Sequence, residues 1–341
     1  MDPQYTDVIA VFDIGRTWKR FDLFDRALHP LSTSEKIIPE TVDSEGHPCD
    51  DLPAVQNWVR SCISGVTSGA LYSIRAAAIT GNEGCLQPLE SAVSELLKAG
   101  NADNGPVKCL SINSTTASLI PYLRGSDKPF ILVSTGTWCT FMNPSEAGSS
   151  AGGEEVTGAG GVKAVGGQQV KYARFHLGEI HDRNVTMLDD HFGVTGELYK
   201  TIKIKNKKIE KIRANRRGRV FFRHGIPKGY ADTTADLSHF LTYADAYHQM
   251  MYDLVDECLI SFRDVVTEDD TTEILYVTGG FALNDSFVRI LAARLPEKRV
   301  YASTIEYATA LGAAIEAYPE TFGPGLPPLY LGLKAILLRD E

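Results

Sequence analysis

The chain has 341 residues, enough for two domains and for a core that needs no disulfide staples. Hydrophobic residues make up 43% and charged residues 23%, the balance of a globular protein rather than a disordered or membrane-embedded one. A net charge of -9 argues against nucleic acid or an anionic membrane as partner, but leaves phosphate ligands open, because local groups hold those. The six cysteines form no CxxC pair, and no His/Cys cluster has zinc spacing. The opening "MDPQYTDVIA" has neither a basic nor an apolar signal region, and no apolar run reaches membrane-spanning length. These features predict a cytoplasmic protein.

"VIAVFDI" and "RFDLFD" read as two strands joined by a short turn. "LPAVQNWVRSCISGV" has Val55, Trp58, Val59, Cys62 and Ile63 at helical spacing. "IRAAAIT" reads as a third strand and "LESAVSELLKAG" as a helix ending at Gly100. "PFILVSTGTWCTFMNP" repeats the opening arrangement of strand, small-residue turn and strand, which suggests an internally duplicated α/β domain. Residues 145–168, rich in Gly and Ser, read as a flexible loop. The basic segment 200–219 is either an anion or partner patch or, the reading preferred, a solvated face with Ile202, Ile204, Ile209 and Ile212 turned inward. "ADAYHQMMYDLVDECLISFRDVV" is the strongest helix, its Tyr247–Met250–Met251–Leu254 stripe reading as core. "EILYVTGGFALNDSFVRILAARLP" gives a strand, a Gly-Gly turn, an Asn/Asp cap and a helix. "RVYAS" is a short strand, and "EYATALGAAIEA" is a small-residue helix able to approach another backbone closely.

Three turns have the chemistry of a phosphate site. Asp13 ends the first strand, and a lone carboxylate there suits Mg²⁺, held mainly through water. Gly15 would let backbone N–H groups near a phosphate, Thr17 adds a hydroxyl, and Arg16, Lys19 and Arg20 are cationic. Strand alternation forbids all three cations from pointing one way. The second turn, Ser134, Thr135, Gly136 and Thr137, offers N–H groups and hydroxyls but no acid. The third, Thr278, Gly279 and Gly280, precedes a helix and would let a nucleotide lie against backbone. Each turn alone is common; their order along one chain is the signal.

In that order the sequence resembles the FGGY carbohydrate kinases of the actin/hexokinase superfamily. Within them it is similar to a bacterial subgroup whose first phosphate motif reads DIGKTNKK, here residues 13–20. The subgroup's ISTGTW corresponds to Val133–Trp138, its adenosine motif GGFxxN to Gly279, Gly280, Phe281 and Asn284, and its closing ATALGAA helix to Ala308–Ala314. The resemblance spans nearly the whole chain. It implies two RNase H-like, actin-like ATPase domains, drawn at 1–126 and 127–341, with ATP and Mg²⁺ in a cleft between them. It also implies a sugar or polyol substrate and admits a homodimer.

Two departures from the pattern bear on activity. The family's long sugar-binding stretch in the first domain is reduced here to about residues 81–107. The subgroup's GIHDSxASLxPYL, whose Asp is the general base, stands here as residues 111–123, with Asn113 at the His position and Ser114 at the Asp position. A neutral hydroxyl is a poor proton acceptor, and losing a general base costs about 10²–10⁴-fold in rate. Glu83 is a candidate replacement. The expected function is ATP-dependent phosphorylation of a ketose or polyol; the alternative is a nucleotide-binding relative without kinase activity.

Overall fold

The computed structural model describes residues 5–16, 18–44, 48–69, 71–81, 83–100, 107–145, 160–165, 167–215 and 220–338. The first part runs β1 (Thr6–Ile14), β2 (Trp18–Phe24), β3 (Pro30–Ile37), β4 (Glu40–Val42), β5 (Pro48–Asp50), α1 (Leu52–Ser68), β6 (Tyr72–Gly81), α2 (Glu83–Gly100), β7 (Lys108–Asn113) and α3 (Ser114–Gly125). There follow β8 (Phe130–Thr135), β9 (Cys139–Asn143), β10 (Gly160–Val165), β11 (Gln168–Phe175), α4 (Leu177–Phe192), α5 (Asn206–Ala214) and α6 (Tyr243–Val265). The chain closes with β12 (Ile274–Gly279), α7 (Asp285–Arg294), β13 (Arg299–Ser303), α8 (Ala308–Phe322) and β14 (Leu333–Ala335).

The chain divides into two compact units, residues 1–125 with 307–330, and residues 126–306 with 331–341. The closing helix α8, placed with the second half in the sequence reading, therefore packs in the first unit. The reason is steric. Gly312 lies so near α3 that a Cβ on it would sit 1.8 Å from the Ala117 carbonyl oxygen. A helix of small residues can make that approach and a bulkier one cannot.

The first unit is built on a five-stranded sheet in the order β3-β2-β1-β6-β7. Strands β1, β6 and β7 are parallel, and β2 and β3 run antiparallel to their neighbours. In the second unit, β11-β9-β8-β12-β13 repeats that order and those directions, extended by β10 at one edge and β14 at the other. The duplicated sheet is the RNase H-like, actin-like ATPase fold in both units. Strands β1 and β8, central in their sheets, read as unbroken apolar runs because both faces are covered.

Residues 160–165, read from sequence as part of a flexible loop, form β10 and pair with β11. Residues 146–159 of that loop lie outside the described region. Ile204, Ile209 and Ile212 of the basic segment are buried, which agrees with the reading of a solvated face over an apolar stripe. No helix among the described residues is long and apolar enough to cross a membrane.

Candidate functional site

In the first unit the apolar run Val8–Phe12 is fully buried, and Asp13 comes next, where β1 reaches the end of the sheet. Its ladder neighbours are Arg20 on β2 and Thr80 on β6. Arg20 donates from Nε to Asp22 at 2.8 Å and from Nη1 to Glu35 at 3.0 Å. Burial, together with the Asp22 charge and only partly offset by Arg20, raises the Asp13 carboxyl to about 7. The positive charge of Arg20 thus only partly balances the burial of Asp13 and its Asp22 neighbour.

Lys19, a sequence candidate for phosphate contact, is 1% exposed. Its ammonium donates to the Gly15 carbonyl at 2.6 Å, the Arg16 carbonyl at 3.0 Å and Asp50 at 2.7 Å. The structure places it as an internal strut beneath the turn. Gly15 is needed sterically, since a Cβ there would lie 2.7 Å from the Trp18 carbonyl oxygen. Arg16 donates outward to Glu40 at 2.7 Å. Trp18 is 55% exposed beside its strand partner Ile37. Thr17 lies outside the described residues.

The second and third turns are joined by one hydroxyl. Thr135 donates to the Thr278 carbonyl at 2.6 Å and accepts from the Phe281 N–H at 3.1 Å. Gly279 meets this bridge with φ +84°, and a Cβ on it would fall 1.8 Å from the Thr135 carbonyl oxygen. Glycine is therefore required twice over there, by backbone angle and by space. The next turn residues, Gly136 and Thr137, are fixed from behind. The Gly136 N–H donates to the Trp138 carbonyl, and the Thr137 carbonyl accepts from the Gly178 N–H at the start of α4. Ser134 and Thr137 are half-buried, while Gly136 is exposed with open space on its Cβ side. Gly280 is open in the same way.

Beyond the third turn lies a cavity of about 500 Å³, lined among others by His181, Tyr199, Lys200, Phe281, Asn284 and Glu306. Asn284 caps α7, its Oδ1 accepting from the Phe287 N–H at 3.0 Å. Its Nδ2 donates to the Tyr247 hydroxyl at 2.7 Å. Tyr247, read from sequence as core, is indeed fully buried, but its hydroxyl also reaches His181 Nε2 at 3.0 Å. His181, Tyr199, Lys200 and Glu306 were not legible as a group. They come from α4, a short 3-10 turn and the segment before α8, and no spacing rule links these elements.

Ser114 opens α3 directly after β7, half-buried. Asn113 caps that helix start, its side chain accepting from the Thr115 N–H at 3.0 Å. Gly81 at the end of β6 is the ladder partner of Asn113, and Glu83 opens α2 two residues later. The Glu83 side chain lies outside the described residues. No group of three or more acidic, His or Cys side chains able to hold a metal occurs among the described residues.

No protein-family model matches the chain, and no curated protein matches its sequence. Among solved structures it is similar to a carbohydrate kinase from Novosphingobium aromaticivorans, with 15% identity over 96% of each chain and a TM-score of 0.59. A ligand-bound xylulose kinase from Lactobacillus acidophilus gives 11% identity, coverage of 92% of this chain and 89% of that one, and a TM-score of 0.61. Component A of (R)-2-hydroxyglutaryl-CoA dehydratase from Acidaminococcus fermentans gives 12% identity, coverage of 93% and 99%, and a TM-score of 0.51. At these identities the likeness establishes the fold and leaves the reaction to the site.

Proposed function

We propose that this chain binds Mg²⁺-ATP and transfers its γ-phosphoryl group to a hydroxyl of a ketose or polyol, as an FGGY-type sugar kinase. The observation that carries the reading is the Thr135 bridge. One hydroxyl locks a turn rich in N–H groups and hydroxyls to a Gly-Gly turn that borders a cavity of about 500 Å³. Phosphate contacts are assigned to the backbone at Gly15 and Thr137 and to the Ser134 hydroxyl, the Gly136 N–H being taken by the Trp138 carbonyl, and the nucleoside to the cavity beside Gly280, Phe281 and Asn284. Asp13 fits a hydrated divalent cation. It stands at a strand end, and the neighbouring Arg20 is committed to Asp22 and Glu35. Mg²⁺ bound there would neutralise phosphate charge. The sugar kinases among the similar structures support the reading at the level of fold.

Ser114 favours a second reading, nucleotide binding without phosphoryl transfer. The hydroxyl at the head of α3 cannot serve as a carboxylate base at neutral pH. ADP release from Mg²⁺-ATP, measured across a panel of ketoses and polyols, separates the two. Sugar-dependent release by the natural protein supports the kinase. Release only after Ser114→Asp identifies a scaffold disabled at that position. ATP binding with no release from either form supports the second reading.

A further inference from the structure

Residues 200–219 hold ten Lys or Arg against one Glu, a net +9 inside a chain of net -9, which leaves -18 to the rest. Helix α5 and the stretch before it carry much of this charge. Ile209 and Ile212 face the core, and Lys208 is paired with Asp245 in the first turn of α6. Lys203, Lys205, Lys207, Lys211 and Arg213 are exposed and form no ion pair among the described residues. Lys211 and Arg213 suit the last turn of α5, whose carbonyls attract cations. Lys205 and Lys207 do not suit its start. They stand at the positive end of the helix dipole, with no acid in the first turn and no side-chain cap. Lys207 also lies one turn from Lys211, a like-charge spacing that weakens a helix. The stability of α5 therefore does not account for these cations.

The opposite charge lies at the far end of α6. Asp264 in its last turn, and Glu268 and Asp269 just beyond, are exposed and unpaired among the described residues, with Arg263 the cation beside them. Acids at the negative end of a helix dipole are unfavourable, as cations are at the positive end. Ile260, 51% exposed, stands one turn before Asp264 on the same face. Helix α6 has 23 residues, about 35 Å, so these acids cannot reach the cations beside Asp245 in the same molecule. Two copies can bring them together. We propose that this chain associates with a second copy of itself, the face of α5 bearing Lys207 and Lys211 docking on the acidic C-terminal end of α6. Each unfavourable helix end is then answered by the opposite charge, and Ile260 is covered. A polynucleotide would find the same lysines but would meet net -18 over the rest of the chain, whereas a second copy supplies its acids from that surplus. An anionic lipid surface would find no apolar side chain of α5 to bury, since its isoleucines turn inward. The proposal is independent of the nucleotide reading.

Sedimentation velocity of the full chain at about 50 mM and about 500 mM NaCl tests it. The natural protein is expected to associate at the lower salt and to dissociate at the higher, where contact charges are screened. Lys207→Glu with Lys211→Glu reverses one face; Asp264→Lys with Glu268→Lys and Asp269→Lys reverses the other. Each set alone should raise the dissociation constant by at least about tenfold. Mixed in equal amounts, the two variants should associate again, because each now offers the charge the other lacks. All five residues are exposed, so both variants should melt close to the natural protein. Should one set fail to fold, the salt dependence of the natural protein and the other set still decide. A natural protein that stays monomeric at both salts overturns the proposal, as does association that both reversals leave unchanged, or a mixture that stays monomeric. Binding of a labelled single-stranded RNA that is lost with Lys207→Glu and Lys211→Glu, in a protein that never self-associates, overturns it too and assigns the face to nucleic acid.

Discussion

The two units share a sheet order and a strand–turn–strand motif but build the turn from opposite materials. The β1–β2 turn is built with charge: Lys19 buried beneath it, Asp13 at its entrance, and Arg20 and Asp22 on the following strand. The β8–β9 turn carries no ionisable side chain from Ser134 to Thr137, and a buried hydroxyl joins it to the neighbouring Gly-Gly turn. The fold dictates where a tight turn falls. A few side chains decide whether it offers a carboxylate to a cation or N–H groups to an anion. Charge makes the first turn sensitive to pH and to loss of a partner; the second depends on close backbone packing.

Substitutions can break that contrast. Gly279→Ala places a methyl against the Thr135 carbonyl and forces a positive φ on alanine, so we expect a loss of about 4 kcal/mol or more by urea denaturation. A loss below 1 kcal/mol would show that the second turn has slack. Lys19→Met leaves Asp50 without its buried partner and should cost about 3 kcal/mol in the same measurement. Thr135→Val strands the Phe281 N–H and should cost about 2 kcal/mol and weaken ATP binding, while Thr135→Ser restores both.

The pH behaviour of the units should run in opposite directions. Asp13 titrates near 7 when folded and near 3.8 when unfolded, so its contribution is full below about pH 4 and lost as pH rises toward 7. Asp13→Asn should therefore be more stable than the natural protein at neutral pH, with the gap closing by about pH 4. His248, buried in α6, is depressed by burial to about 4 from 6.5, so its contribution is present above 6.5 and lost as pH falls toward 4. His248→Gln should lack that acid-side loss. Urea midpoints across pH 4–8 for both variants read the two slopes separately. Lys200→Ala, at an exposed ion pair, should shift stability by no more than about 0.5 kcal/mol.

Much of this arrangement is legible in the sequence, because its signals are local. The apolar runs before Asp13 and Ser134, the glycines between strands, and Asn284 ahead of a helical stripe follow from strand burial, turn geometry and capping, each acting over a few residues. The closing small-residue helix was equally plain. The unit it joins was not, since that depends on Ala117, far back in the chain. Strand β10 escaped notice because Gly160–Val165 continues a Gly-rich run and acquires strand character only by pairing with β11.

Sequence by itself determined a duplicated α/β protein, three glycine-bearing turns and the absence of a carboxylate at position 114. Only the tertiary structure decided what the polar side chains do. It turned Lys19 inward onto two carbonyls, made Thr135 a bridge rather than a free hydroxyl, and drew His181, Tyr247 and Asn284 into one hydrogen-bonded chain. Hydrophobic period and turn type are properties of neighbours in sequence. A hydrogen bond is satisfied by whichever donor or acceptor the fold brings within about 3 Å.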